Sequence, residues 1–388
     1  MKNHLLVSVL ISAFVGLIVA CTPRATPPPV LPPSAPVPVP VSTPTSTLPL
    51  PTSQDAAPDK SGQAWQKIVE AAKKEGKVSL YSFSIIGDLG REVKKSFEEA
   101  YGIKVELTTG VGSILMERIK SERAAKKPIA DTYDTAPGFV ITAKKSGLTQ
   151  PSENLPVLAD KNIWRMPPHD GERNVWGIFG QQRPPQINTA LVKPGDEPKS
   201  YAEMITPKWS GKIVIAPPLS DPSVIYLYVA GKKYGFLNDD YFRQLGKQNL
   251  KIVPAVRDVV SALARGEASL TPAYSSAEAA ALIVEGAPVR SIDAAEGISL
   301  GWGTAIAIVK DGPHPNAANV FLNWLFSRQG QEVYSRGRKI LSIRNDLPFY
   351  GPAASYVETK KTLALELADF EEVSRLQSAQ VVDKLLGL

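Results

Sequence analysis

A strand-then-helix pattern that runs through residues 77–125 and begins again near Ile213 sets the tightest limit on how this 388-residue chain can fold. Val78-Ser79-Leu80-Tyr81 reads as a short strand. Asp88–Tyr101 then places Leu89, Val93, Phe97 and Ala100 on one helical face and stops at Gly102. Ile103–Leu107 alternates as a second strand, and Ser113–Ala125 carries Ile114, Leu115 and Ile119 at helical spacing. Strand, helix, strand, helix requires right-handed crossovers and a parallel sheet. The same grammar restarts with the strand Ile213–Ala216, a helix from Ser223 to about Tyr234, strand-like Val253–Val256 and the helix Val259–Arg265. The expectation is an α/β protein of two lobes, each a mostly parallel sheet flanked by helices. One core stops growing at roughly 250–300 residues, so the length suits two.

The residues before this pattern are not part of a core. Met1–His4 is a short basic start, Leu5–Val19 an apolar run, and Ile18-Val19-Ala20-Cys21 closes it with a small residue before cysteine. The run falls short of the roughly 20 residues of a spanning helix, which favours a secretory signal over residues 1–20. Ile-Val-Ala-Cys resembles the bacterial lipobox, which implies lipidation of Cys21. An uncleaved anchor ending at Cys21 is the alternative, and either places the protein on the outer side of a membrane. Cys21 is the only cysteine, so an internal disulfide is excluded. Residues 21–60 hold 13 of the 34 prolines and read as an extended, polyproline-like tether.

Net charge is +6, but the 44 basic and 38 acidic residues are interleaved without a block of one sign, which argues against nucleic acid as a partner. Ligands of parallel α/β sheets sit outside the carboxyl ends of the strands. That singles out Ser82–Ser84 and Gly110–Ser113 in the first lobe, hence Ser84 and Ser113. Between Arg265 and Gln331 an apolar segment ends in Tyr274-Ser275-Ser276, presenting a phenol and hydroxyls at a strand tip. Trp302 precedes the long apolar run Gly303–Val309. No Gly-x-Ser-x-Gly elbow and no His-Glu-x-x-His are present, and a hydrolase would have to use His169 or His314. The expectation is therefore no enzyme, with an exported hydrolase as the rival from another class.

Leu115–Glu122, Pro207-Lys208-Trp209-Ser210-Gly211-Lys212-Ile213, Gly286-Ala287-Pro288-Val289 and His314–Ala318 through Gly330-Gln331-Glu332 resemble extracellular solute-binding proteins of bacterial ABC importers. The branch they resemble is the ferric-binding-like one, across about Ala64–Leu347. The resemblance implies the two-lobed periplasmic-binding-protein (type II) fold, with crossings near Pro185–Thr189 and Trp302–Val309. Lobe 1 would comprise residues 61–186 and 304–388, with the last helix, Leu363–Leu386, docked on it, and lobe 2 residues 187–303. It also implies a small-molecule solute, delivery to an ABC permease and action as a monomer. Ser223 matches the family's anion-holding helix start, and Arg257-Asp258 a cleft loop in which arginine can grip an oxyanion bidentately. Plain N-capping is the alternative role of Ser223 and Asp258, and packing that of Tyr274 and Trp302.

Ferric-binding members hold iron with adjacent tyrosines where this chain has Tyr274-Ser275. Fe³⁺ needs several anionic oxygen donors, and one phenolate falls short unless Asp134, Asp258, Glu278 or a bound anion completes the shell. The expected solute is therefore small and anionic or zwitterionic, held by Ser84, Ser113, Ser223, Arg257, Asp258, Tyr274, Ser275 and Trp302, without metal or other cofactor. The alternative is Fe³⁺, or an iron–anion complex, with Tyr274 as a ligand.

Overall fold

The structure is a computed structural model that describes residues 60–388; Cys21, the signal and the tether lie outside the described residues. The expected alternation is present as strand Lys77–Ser82, helix Gly87–Tyr101, strand Lys104–Thr109, helix Gly112–Ala124 and strand Thr132–Thr135. Leu89, Val93 and Phe97 bury the inner face of the first of these helices. Gly102 ends it at φ 69, a left-handed conformation that costs a glycine little. The three strands pair in parallel in the order Lys104–Thr109, Lys77–Ser82, Thr132–Thr135. Ala305–Val309 then joins antiparallel beside Thr132–Thr135, with Thr149–Gln150 beyond it.

The second sheet repeats this order with shorter strands. Lys251–Ile252 pairs in parallel with Val214–Ile215, and Ile213 bridges in parallel to Leu270. Leu270–Thr271 lies antiparallel to Gln186–Asn188, and Val289–Ser291 completes the far edge. Each lobe therefore has three parallel strands, one antiparallel strand delivered from the other lobe, and an edge strand.

Between the lobes Phe179–Gln182 and Ile298–Trp302 pair antiparallel with one another, flanked by Leu341–Ser342 and Thr362–Ala364. The crossings thus lie a few residues ahead of the expected Pro185–Thr189 and Trp302–Val309. Those later segments, Gln186–Asn188 and Ala305–Val309, are members of the lobe sheets. The apolar runs mark the buried strands that the crossings feed. The first crossing itself carries Gln181, Gln182 and Arg183, which an apolar-run reading passes over.

The register fixes where the cleft lies. Ala305 pairs with Thr135 and Gln186 with Thr271, and Thr135 and Thr271 are the last residues of their parallel strands. Both crossings therefore enter their sheets at the carboxyl ends, so the carboxyl ends of the two sheets face the hinge and one another.

The chain's end departs from the expected single helix on the first lobe. It forms the strand Thr362–Ala364 and the helices Leu367–Ser378 and Val381–Leu386. Gln380 between the helices has φ 51, a conformation that breaks a helix and redirects the chain. Leu367–Ser378 bridges both lobes: Glu371 pairs with Lys145 at 3.2 Å on the first, and Asp369 with Lys233 at 2.7 Å on the second. Val381–Leu386 packs on the second lobe's helix Asp239–Gly246, where Gly246 lies against the Leu386 backbone.

Gly177 sits directly on the indole of Trp302, and a methyl group there would overlap the ring. Gly177→Ala is expected to lower the unfolding free energy by about 1–3 kcal/mol, the usual range for overpacking a core; urea denaturation measures it.

Candidate functional site

On the first lobe's side of the cleft, the strand ends supply a closed polar network. Ser84 is fully buried: its hydroxyl donates to Asp134 Oδ1 at 2.6 Å and accepts from the Tyr334 hydroxyl at 2.8 Å, and its N–H donates to the same carboxylate at 3.0 Å. The hydroxyl expected to meet solute is thus engaged inside the lobe. Ser113 is half-buried in the first turn of Gly112–Ala124. Asp134 is itself buried, and burial pushes its pKa up to about 6 against the hydrogen bonds from Ser82 and Ser84 that favour the charged form.

The second lobe brings more of the expected residues together. Tyr274 is buried, its hydroxyl donates to the Val256 carbonyl at 2.9 Å, and its N–H donates to the Pro184 carbonyl at 3.1 Å. Burial, then the negative charges of Asp221 and Glu278, hold its phenol well above the usual range. Ser275 caps the helix Ser276–Val284 by accepting from Glu278 N–H at 3.2 Å, and also accepts from the Gln181 side-chain amide. Asp258 is not the N-cap: it lies at the third position of the helix Val256–Ala264, whose N-cap is Ala255, and accepts from the Ala255 N–H at 3.1 Å. Ser223 does not cap: the N-cap is Pro222, and Ser223 N–H donates to Asp221 Oδ1 at 2.9 Å. Arg257 is exposed beside Tyr274, close enough for its charge to favour the phenolate. Glu278 is exposed as well.

Arg183 occupies the centre of this arrangement and was not among the expected residues. Its guanidinium lies 3.6 Å over the Tyr226 ring, donates to Gln181 Oε1 at 3.2 Å, and buries Nη1 without a hydrogen-bond partner. Arg183 is 7% exposed, and none of the ion pairs among the described residues includes it. Burial lowers its pKa, while Tyr226 and the Asp221 carboxylate raise it. Gln186 leaves both side-chain amide atoms unpartnered, and Thr271 Oγ1 and Ser299 Oγ are likewise unpartnered. Buried polar groups normally have partners; five of the eleven unpartnered side-chain atoms among the described residues lie on the first crossing and the strands paired with it, and the other six are on Tyr201, Tyr241, Gln248, Trp324, Ser335 and Asp383. The sequence signal was that Arg183 is the only charge between Ile178 and Ile187.

Behind Arg183 runs an aromatic column. Tyr226 meets Phe370 edge-on at 5.9 Å, and Phe370 stacks on Trp302 at 5.4 Å and 16°. Trp302 is 2% exposed and its indole N–H donates to the Pro167 carbonyl at 3.0 Å, so it supports the hinge from behind. The two candidate histidines stand elsewhere. His314 Nδ1 is 2.8 Å from Asp131 Oδ2, at the amino end of strand Thr132–Thr135 and so opposite the cleft. His169 tilts against Trp176 at 4.9 Å. Among the described residues no three His, Cys, Asp or Glu side chains form a metal-ligating group.

A carboxylate whose folded pKa is raised binds its proton more tightly folded than unfolded, so ionising it costs stability. Wild-type stability, measured against Asp134→Asn, is expected to fall as pH rises from about 4 to about 6 and to run parallel to the variant above that. Urea midpoints across pH 4–7 measure the difference.

The family described as bacterial extracellular solute-binding protein matches residues 79–337. "Iron uptake protein A1" of Synechocystis sp. is 26% identical over 314 residues, covering 76% of this chain and 83% of that protein. Among solved structures, iron-bound HitA from Pseudomonas aeruginosa has a TM-score of 0.61 at 22% identity, covering 80% of this chain and 99% of that one. Trichodesmium IdiA (FutA), in complex with iron and citrate, has a TM-score of 0.64 at 22% identity, covering 80% and 98%. These solved structures share the chain's two-lobed α/β fold. The chain belongs to the bacterial extracellular solute-binding proteins.

Proposed function

We propose that this chain is the solute receptor of an ABC importer, held outside the membrane by lipid on Cys21, and that its cargo presents an anionic group to Arg183. The observation that carries this reading is the buried guanidinium with an unpartnered Nη1, beside the unpartnered side chains of Gln186, Thr271 and Ser299. Arginine is suited to carboxylate or phosphate because its planar donors can be met by two oxygens at once. Asp221, buried at the same place, would take up a cationic group, which keeps a zwitterion within the reading. Transfer requires no chemistry on the solute. A ligand that binds the closed lobes better than the open ones shifts the population toward closure, and the permease receives the closed form.

The relatives support a second reading more strongly than a free organic solute. The curated relative is an iron uptake protein, and the two solved structures hold iron, one of them with citrate. Ferric iron, or an iron–anion complex with its anion on Arg183, is the corresponding cargo. Tyr274 and Tyr226 are the phenols available to it, and Asp221 a carboxylate. Tyr274 would first have to release the Val256 carbonyl and lose its proton, and Ser275 stands where a second adjacent phenol would be.

Arg183→Gln is expected to weaken capture of the cargo at least tenfold in either case, by calorimetry on protein stripped of bound solute. Unchanged affinity would remove the anion from the reading. Aerobic loading with ferric citrate separates the two cargoes. A visible tyrosinate–iron band lost in Tyr274→Phe would establish iron, and colourless protein without metal by mass spectrometry would leave the organic anion.

A further inference from the structure

The first lobe's cleft edge has a composition that a bare ion does not explain. Six large apolar side chains stand exposed between residues 60 and 186, and five of them, Phe83, Ile86, Val111, Ile114 and Phe139, follow directly on the carboxyl ends of its three parallel strands. Phe83 and Ile86 lie in the loop after Lys77–Ser82. Val111 and Ile114 lie at the start of the helix after Lys104–Thr109, and Phe139 in the first turn after Thr132–Thr135. Val111 is 56% and Ile114 65% exposed. Because strands Lys77–Ser82 and Lys104–Thr109 are paired up to Ser82 and Thr109, their exit loops are neighbours. The residues therefore form one edge.

That edge faces the second lobe, since both crossings enter their sheets at the carboxyl ends. On the second lobe the loop after Val214–Ile215 presents Leu219, itself 50% exposed. Ser84 does not offset this character, because it is enclosed with Asp134 and Tyr334; half-buried Ser113, between Val111 and Ile114, is the one expected hydroxyl at this edge. Exposed apolar surface gathered in one place marks a binding surface. Its position inside the cleft favours the solute over a partner protein, which meets outer surfaces.

Resting on the anion-receptor reading, we infer that the solute is amphiphilic: a small organic carboxylate or zwitterion whose charged end meets Arg183 and whose apolar body, aromatic or branched aliphatic, is covered by Val111, Ile114 and their neighbours on closure. Such a ligand satisfies the orphaned guanidinium at one end and removes the exposed edge from water at the other. A hydrophilic chelate would satisfy only the first.

The experiment uses the full-length chain, unfolded and refolded to strip bound solute, titrated by calorimetry with acetate, phenylacetate, glycine, phenylalanine, leucine, citrate and ferric citrate. Phenylacetate or an apolar amino acid is expected to bind at least tenfold more tightly than acetate or glycine. The double variant Val111→Ser/Ile114→Ser should erase that preference without changing the melting temperature, because both side chains are exposed. Citrate or ferric citrate binding more tightly than every apolar carboxylate, with the double variant unaffected, would overturn the amphiphilic solute and leave the receptor reading standing. Unaltered binding with lost uptake in cells would assign the edge to the permease and overturn the proposal equally. If Arg183→Gln alters no titration, or if no probe binds, the underlying anion reading falls with it.

Discussion

The antiparallel pairing of Phe179–Gln182 with Ile298–Trp302 is the constraint on which the remaining architecture depends. Two strands hydrogen-bonded to each other bend together but do not slide freely, so the lobes they join can rotate about them while keeping their register. Because each strand continues into the other lobe's sheet at its carboxyl end, the pairing also decides which edges oppose one another. Cleft, hinge and candidate ligand groups follow from that one juncture. Arg183 leaves the first crossing there, and its N–H donates to the Ser299 carbonyl of the second at 3.1 Å.

The C-terminal segment adds a second tie across the same juncture. Helix Leu367–Ser378 touches both lobes through oppositely placed ion pairs, and Phe370 fills the space between hinge Trp302 and site Tyr226. The ion pairs on this helix are partly exposed and individually weak. The aromatic stack is buried and carries the larger share of the attachment. A rotation of the lobes has to be accommodated by this helix, which couples the geometry behind Arg183 to the angle between the lobes.

Charge is distributed unevenly across the cleft. The second lobe and hinge hold Arg183, Asp221 and Tyr274 in buried positions, where desolvation raises or lowers each proton affinity, and Arg183 Nη1 is left without a partner. The first lobe keeps its one buried cleft carboxylate, Asp134, satisfied by hydroxyls and turns apolar side chains outward. On the proposed reading, one lobe recognises charge and the other excludes water. Such a division suits a fold in which closure completes the binding site.

Strand and helix alternation, its restart near Ile213 and the family resemblance were legible in the sequence, because hydrophobic periodicity is local and each element buries its own face. Strand ends near Ser84, Ser113 and Tyr274 could be named for the same reason: chain order places loops at carboxyl ends. What those hydroxyls do was not legible. Ser84, Ser275 and Tyr274 bond to Asp134, Gln181 and Val256, partners between 18 and 94 residues away, and only the assembled sheets bring them together. Arg183 and Asp221 were hidden likewise, one as a lone charge before two prolines and the other in an exit loop. The path of the last helices was decided by a left-handed Gln380 that helical periodicity does not reveal. Sequence by itself determined the elements and their order, since those depend on neighbours within a turn or two. Tertiary structure decided which polar groups are already partnered and which are left for a ligand, because partnership depends on distance in space.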